Sequence, residues 1–263
     1  MNNDNPLSRV GPGSSRSEVE IQRTYYAATA PIYEAMHNQA KDEHFFALRF
    51  LEAMLEFYDI KSVLDIGAGT GRVARYLKSR LPGLKVMSIE PVAALREVGY
   101  ANGLSREELV DGDATRLDFR DGQFDLVCEF AVLHHIKSPA SVVAEMLRVA
   151  RKGIFISDSN NFGQGSPFWR AFKQAFNAVG LWGPIDWVKT RGKGYTISEG
   201  DGLAYSYSVF NDYRRIAKAC HIHLVNTMDG GRNPYRTASH VALLGIKKSS
   251  LEEAAVSKEA PRP

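Results

Sequence analysis

The chain has 263 residues, 44% apolar, 24% charged and 10% aromatic, which is room for one large α/β domain or two small ones. A net charge of +3 is too small to argue by itself for a nucleic-acid or membrane partner. No run of about 18 or more apolar residues offers a membrane span, and the first stretch, MNNDNPLSRVGPGSSRS, lacks the apolar core of a signal peptide. Cys128 and Cys220 are the only cysteines, so neither a disulfide framework nor a metal-ligand cluster is expected. Both lie in apolar segments as reduced, buried thiols would, and a cytoplasmic location follows as an expectation.

Residues 1–17 read as a flexible leader and 249–263 as a flexible tail, leaving one domain over 18–248. Residues 18–58 should form a helical cap. Val19 to Met36 shows apolar and aromatic residues at helical spacing, interrupted at Pro31. Phe45 to Tyr58 repeats the pattern with Phe46, Phe50, Met54 and Phe57. Strand and helix then alternate. Strands are expected at Ser62–Ile66, Lys85–Glu90, from Leu109–Val110, at Phe124–Glu129 and at Gly153–Ser157. Helices are expected around Arg72–Arg80, at Val92–Gly99, and after Ser138 as N-cap with Pro139 at the first helical position. That last helix should bury Val142, Val143, Met146 and Leu147. This alternation implies βαβ units and a mostly parallel sheet. It stops from Asn160 to Tyr205, and a helix near Val209–Ala219 with strands Ile222–Met228 and His240–Ile246 closes the domain. Too few residues separate those two strands for a helical crossover, so they should pair antiparallel.

The chemistry concentrates at Val63-Leu64-Asp65-Ile66-Gly67-Ala68-Gly69-Thr70-Gly71. An apolar strand delivers an acid and then G-x-G-x-G at the mouth of a helix, where backbone must turn sharply and meet a ligand without Cβ interference. The spacing differs from the G-x-G-x-x-G of dinucleotide binders. Glu90, ending the second strand, is placed to accept hydrogen bonds from both hydroxyls of a ribose; the alternative is a solvated strand-end acid. Asp113, in Gly112-Asp113-Ala114, can accept from an adenine amino group; the alternative is a turn residue bonding its own backbone. Phe124-Asp125-Leu126-Val127, then Leu133-His134-His135-Ile136, lie where the fourth strand opens into the cleft.

With the segments DIGAGTGR, SIEP, GDATRL, FDLV, VLHHI and EMLRVARKG, residues 60–158 closely resemble class I S-adenosylmethionine methyltransferases. The likeness is strongest to the small-molecule branch that includes ubiquinone- and menaquinone-biosynthesis enzymes and natural-product O- and N-methyltransferases. The resemblance implies a Rossmann-like, seven-stranded, mostly parallel sheet with an antiparallel last strand and helices on both faces. It implies S-adenosylmethionine as cofactor, S-adenosylhomocysteine as product and no metal. It places Asp65, Gly67, Ala68 and Gly69 around the methionine moiety, Glu90 and Pro91 at the ribose, Asp113 and Ala114 at the adenine, and Glu129 at the end of the fourth strand. The family's Pro-Gly-Gly turn before the fifth strand is here Arg151-Lys152-Gly153.

In some members of that branch a His of the HHI segment and an acid after the fifth strand act together. His135 matches that position, with His134 beside it; Asp158 would orient the His135 imidazole. The alternative is that one or both histidines only bond backbone. Ligands of doubly wound sheets sit at strand carboxyl ends, so the aromatic-rich segment 160–205, inserted just after Asp158, is expected to be a lid. Phe168, Phe172 and Phe176 at helical spacing also read as local core. Acceptor contacts are expected from Tyr25, Tyr33 and His37 of the cap, together with Tyr26, and from Trp169, Arg191 and Tyr205 of the lid. Arg191 and Lys193 could clamp an acidic group or form a solvated basic loop.

The expected partner is a small molecule carrying a hydroxyl or amine. Nucleic acid is disfavoured because the fourth strand is followed by Glu129-Phe-Ala-Val-Leu-His-His rather than Asn/Asp-Pro-Pro-Tyr/Phe, and no Lys/Arg stripe is concentrated anywhere. A repurposed cofactor-binding protein without methyl transfer is the other alternative. Monomer and homodimer are both compatible with the sequence.

Overall fold

A computed structural model describes residues 17–37, 42–228, 231 and 233–252. The expected leader, apart from Ser17, and the tail beyond residue 252 lie outside the described residues. Ser17 is the N-cap of the first helix, α1 (Glu18–Thr29), in a reciprocal capping box with Glu20. Residues 248–252, which include the first residues of the expected tail, are helical.

Pro31 ends α1 in a 3₁₀ turn, Ala30–Ile32, and α2 (Tyr33–His37) follows. Next come α3 (Glu43–Phe57), β1 (Ser62–Ile66), α4 (Arg72–Arg80), β2 (Lys85–Ile89), α5 (Ala93–Ala101), β3 (Leu109–Val110), β4 (Phe124–Phe130), α6 (Pro139–Val149) and β5 (Ala150–Ser159). The segment beyond β5 holds α7 (Pro167–Ala178), α8 (Trp182–Lys189) and a hairpin of β6 (Tyr195–Ser198) and β7 (Gly202–Tyr205). Then α9 (Tyr213–Ala219), β8 (Cys220–Asn226), α10 (Pro234–Thr237) and β9 (His240–Lys247) complete the described chain.

Seven strands form one sheet in the order β3-β2-β1-β4-β5-β9-β8, and β6-β7 stand apart. β9 runs antiparallel to both β5 and β8, because the short α10 connection cannot carry the chain back across the sheet. The order reverses between β1 and β4, a switch point whose strand carboxyl ends open the crevice where such sheets bind ligands.

Each face of the sheet is buried, so its central strands are largely apolar, with the buried acids Asp65, Glu129 and Asp158 toward their carboxyl ends. On one face, Leu48, Leu51 and Leu55 of α3 pack with Val63, Leu126 and Phe155. On the other, Val142, Val143 and Met146 of α6 meet Leu64, Val127 and Ile154, with Leu147 only partly buried. Full burial of each such leucine contributes on the order of 2 kcal/mol.

Three local expectations need correction. The α3 stripe lies one position over: Ala47, Leu48, Leu51 and Leu55 are buried, whereas Phe46 and Phe57 are exposed and Phe50 and Met54 partly buried. Branched aliphatics fill the close approach to the sheet, and the larger rings are left at its margin. Arg151-Lys152-Gly153 is not a turn but part of β5, with Gly153 so close to β9 that a Cβ would stand 2.7 Å from the Gly245 oxygen. Ser138 sits at the N-cap of α6 with Pro139 at the first position, yet its hydroxyl makes no capping bond.

Candidate functional site

β1 delivers the fully buried Asp65 to the crevice, and the chain turns through Gly67, Gly69 and Gly71 at φ +67°, +56° and +79°. Side chains are strained in that left-handed region, by about 1–3 kcal/mol each. Space forbids them as well: a Cβ on Gly67 would lie 2.4 Å from Val132 Cγ2, and one on Gly71 2.1 Å from Leu104 Cδ1.

Glu90, just past β2, is buried and bonded at both oxygens. Oε2 accepts from the Gly69 N–H at 2.9 Å and Oε1 from the Val92 N–H at 2.8 Å. Burial pushes its carboxyl up to about 7 against the pull of those two amides. Burial also raises Asp65 to about 8, opposed by the Cys128 thiol and aided by the Glu90 charge. Asp65 Oδ2 and Glu129 Oε1 are buried without a hydrogen-bond partner in the protein, a costly condition; of the two, only Asp65 lines the cavity, where a polar ligand would relieve it.

A cavity of about 970 Å³ opens here, lined by Asp65, Gly67, Ala68, Glu90, Pro91, Asp113 and Ala114 of the expected cofactor residues. Gly69 and Glu129 do not line it. The Gly69 amide is turned onto Glu90, and Glu129 Oε2 holds the Val132 N–H at 2.9 Å inside the turn after β4. Asp113 lines the cavity but also caps its own turn, its Oδ1 accepting from Thr115 N–H at 2.8 Å and Thr115 O–H at 2.7 Å.

The two histidines sit on a 3₁₀ turn, Leu133–His135, that follows β4. Asp158 near the end of β5 is fully buried and holds this turn: it accepts from the Leu133 N–H at 2.8 Å and faces His134 Nδ1 at 2.6 Å. The expected Asp158–His135 pairing is therefore corrected to Asp158–His134. On so tight a turn, successive side chains point in different directions, and only His134 faces back to β5. His135 instead places Nδ1 2.6 Å from the Leu203 carbonyl of β7. A carbonyl only accepts, so Nδ1 carries a hydrogen, while Nε2 faces the Tyr26 hydroxyl at 2.9 Å. Asp201 closes the group, 3.3 Å from His134 Nε2 and 3.4 Å from His135 Nε2. Burial works against a charge on His134, but Asp158 and then Asp201 outweigh it and hold the imidazole well above its ordinary value.

The cap and the hairpin roof this site by clamping each other. Gln22 Oε1 accepts from the Leu203 N–H at 2.5 Å, and the Tyr25 hydroxyl donates to the Glu199 carbonyl at 2.6 Å. At the far side Arg75 pairs with Glu34 at 2.8 Å and Arg72 with Asp42 at 2.8 Å, tying the cap to the glycine-loop helix α4. Tyr33, His37 and Tyr205 line the cavity as expected of acceptor contacts, and so do Tyr26, His134 and His135. Tyr25, Trp169 and Arg191 do not. Tyr25 is buried behind the wall on Glu199, and Trp169 and Arg191 are exposed. The roof comes from α8 and the hairpin, through Lys189, Thr190, Tyr195, Asp201 and Tyr205, and not from α7.

With this geometry in view, comparison with known proteins decides the family. Residues 64–157 match a family model described as a methyltransferase domain. Residues 64–157 are a class I, S-adenosylmethionine-dependent methyltransferase domain. Similar proteins include norajmaline N-methyltransferase of Rauvolfia serpentina, 32% identical over 41% of this chain and 41% of that one. Demethylmenaquinone methyltransferase of Thermotoga maritima is 32% identical over 40% of this chain and 44% of its own. The aligned segment thus spans less than half the length of these relatives. In fold, magnesium protoporphyrin IX methyltransferase from Synechocystis superposes with a TM-score of 0.56 at 12% identity, covering 90% of this chain and 100% of that one.

The matched segment ends at residue 157, within β5, so the cap and hairpin that help line the cavity lie outside it. Two residues there have no counterpart in the sequence reading. Gln22 carries no signal beyond a polar helix position. Asp201, in Glu199-Gly-Asp-Gly202, reads as an ordinary turn acid. Among the described residues, His134, His135 and Asp201 also form the one group whose ligand atoms, within 4.8 Å of one another, could hold a metal ion.

Proposed function

We propose that residues 18–248 act as one unit that transfers a methyl group from S-adenosylmethionine to a hydroxyl or amine of a small-molecule acceptor in the cytoplasm. The observation that carries this is the run of three left-handed glycines between buried Asp65 and α4, set beside buried Glu90. The unpartnered Asp65 Oδ2 suits the cationic methionine end of the cofactor, and Glu90 suits the ribose hydroxyls. Bound there, the cofactor supplies an electrophilic methyl on a positively charged sulfur. The protein's task is to orient the acceptor, exclude water and take up a proton; orientation alone can supply roughly 7–11 kcal/mol. The roof of α1, α8 and hairpin suits a small acceptor rather than a duplex, and two buried free thiols, Cys128 and Cys220, suit a reducing compartment.

Proton uptake falls to His135. Its Nδ1–H is held on the Leu203 carbonyl, so the base would be Nε2, which faces the Tyr26 hydroxyl and has Asp201 at 3.4 Å; His135 and Tyr26 both line the cavity. With its hydrogen on His135, the Tyr26 oxygen is free to accept from the acceptor, so the proton can pass through it. Burial, with the neighbouring Tyr33 and the acids, keeps Tyr26 a neutral phenol. His134, held protonated between Asp158 and Asp201, offers neither a base nor a lone pair for a metal. Activity is therefore expected to survive a strong chelator unchanged; loss on chelation, restored by a divalent cation, would overturn the metal-free reading.

Replacing Glu90 with alanine should weaken cofactor binding by about 1–3 kcal/mol, since charged hydrogen bonds are removed; unchanged affinity in calorimetry would remove Glu90 from the ribose site. The raised carboxyls give a sign for pH. Glu90 and Asp65 are largely protonated below about 7 and 8, and a bound cation favours their ionised forms. Binding of S-adenosylmethionine should therefore release protons and tighten as pH rises from 6 to 8, read as buffer-dependent binding heats. Incubating the full chain with methyl-labelled cofactor and a metabolite extract tests the activity: labelled small molecules should appear. Label only in added DNA or RNA would reject the acceptor class.

A further inference from the structure

The helix α7 has its amphipathic character turned inside out. Its polar side chains face the body of the protein: Gln174 donates to the Phe162 and Arg236 carbonyls at 2.9 Å and 3.0 Å, Asn177 to the Tyr235 hydroxyl at 3.0 Å, and Lys173 bonds the Asn161 carbonyl. Phe168, Trp169, Phe172 and Phe176 form a continuous ladder of ring contacts, with centroids 6.0, 5.4 and 4.5 Å apart. It is open to solvent at Phe168 and Trp169, and beyond it at Val179, while Phe172 and Phe176 are half-buried. Phe168 is 73% and Val179 68% exposed, and no residue of α7 is buried. The next helix repeats the arrangement, with Trp182 and Asp186 inward and Trp187 and Val188 outward. Exposed apolar surface of this extent on a soluble domain marks an interaction site.

Charge selects the occupant. Of the five cations between Asn160 and Ser198, Arg191 and Lys193 are exposed and Arg170 partly so, whereas Lys173 turns inward onto the Asn161 carbonyl and Lys189 lines the cavity; the one acid there, Asp186, is buried. Two copies meeting through this face would bring like charges together. An anionic lipid surface meets both features at once, taking the rings into the acyl boundary and the cations onto the head groups.

We propose that α7 and α8 dock this protein on an anionic membrane surface, as a peripheral contact and not a span. No described helix is long and apolar enough to cross a membrane. The contact leaves the cavity free, since none of Phe168, Trp169, Phe172, Phe176 and Val179 lines it, and it does not depend on which acceptor is methylated.

The test is sedimentation of the full chain with vesicles of phosphatidylcholine alone or mixed with phosphatidylserine, together with its tryptophan emission. Each cation near an anionic surface adds about 1 kcal/mol, or about fivefold, so the mixed vesicles should hold at least about tenfold more protein and lose it in high salt. Emission should shift to the blue as Trp169 and Trp187 leave water. Phe168→Ser should cut binding at least several-fold, and Lys193→Glu should weaken it only on mixed vesicles. Because both positions are exposed, unaltered binding of S-adenosylhomocysteine checks the fold of each variant. Failure to bind mixed vesicles overturns the proposal. So does a concentration-dependent dimer that Phe168→Ser dissociates, which would assign the face to a second copy of the chain.

Discussion

His135→Ala is expected to lower turnover by about 10²–10⁴-fold while leaving cofactor affinity near that of the wild type, the loss typical of removing a positioned base. The reason is the division of labour on the turn after β4. His134 is committed to two carboxylates, Asp158 and Asp201. His135 has Nδ1 on the Leu203 carbonyl and turns Nε2 to the Tyr26 hydroxyl, which also lines the cavity. Tyr26→Phe should fall in the same direction by a smaller factor, since water can replace a relay hydroxyl more readily than a base. Labelled-methyl assays on the acceptor found in the extract, run beside calorimetry with the cofactor, separate these effects. A His135→Ala enzyme of near-normal rate would remove the base and leave alignment as the whole of catalysis.

Asp158→Asn is expected to cost stability of about 3–5 kcal/mol, the range for removing one partner of a buried ion pair. Asp158 is fully buried against His134, and its side chain also secures the Leu133 amide. Burial opposes the Asp158 charge, yet the His134 imidazolium outweighs it and holds the carboxyl below its usual range. That part of the stability is present above about pH 3.9 and is lost as pH falls through the depressed folded value. The His134 part has the opposite sign. It is complete below about pH 6.5 and is lost as pH rises through the raised folded value. The gap between wild type and variant in urea unfolding should thus be widest between about pH 4 and 6.5 and narrow on either side. A gap that did not change with pH would mean the contact works through its amide bond alone.

How much of this was legible depended on how local each signal was. The β1 strand, Asp65 and the three glycines lie within one short stretch whose residue types and spacing follow from the turn they make. The assignment of Glu90 to the crevice likewise required only counting one βαβ unit. Asp201 was illegible because its meaning is a long-range contact: it meets His134 and His135 only after the hairpin folds over the turn. The partner of Asp158 was misassigned for a similar reason, since one step along a tight turn redirects a side chain entirely. For α3 and α7, periodicity found the helices but misjudged their burial. Phe46 and Phe57 share the spacing of the leucines that are buried. Of the stripe on α7, Phe168 and Trp169 are exposed and Phe172 and Phe176 half-buried, while Lys173 and Gln174 hold partners on the protein body. A pattern says that a helix has two faces; only packing says which one is covered.

The crevice at the ends of β1 and β2 is the proposed site for S-adenosylmethionine. Titration calorimetry of the full chain with that compound at pH 8 tests it most directly. The structure predicts saturable one-to-one binding that weakens toward pH 6 and in Glu90→Ala; absence of binding by the folded wild-type protein would contradict it.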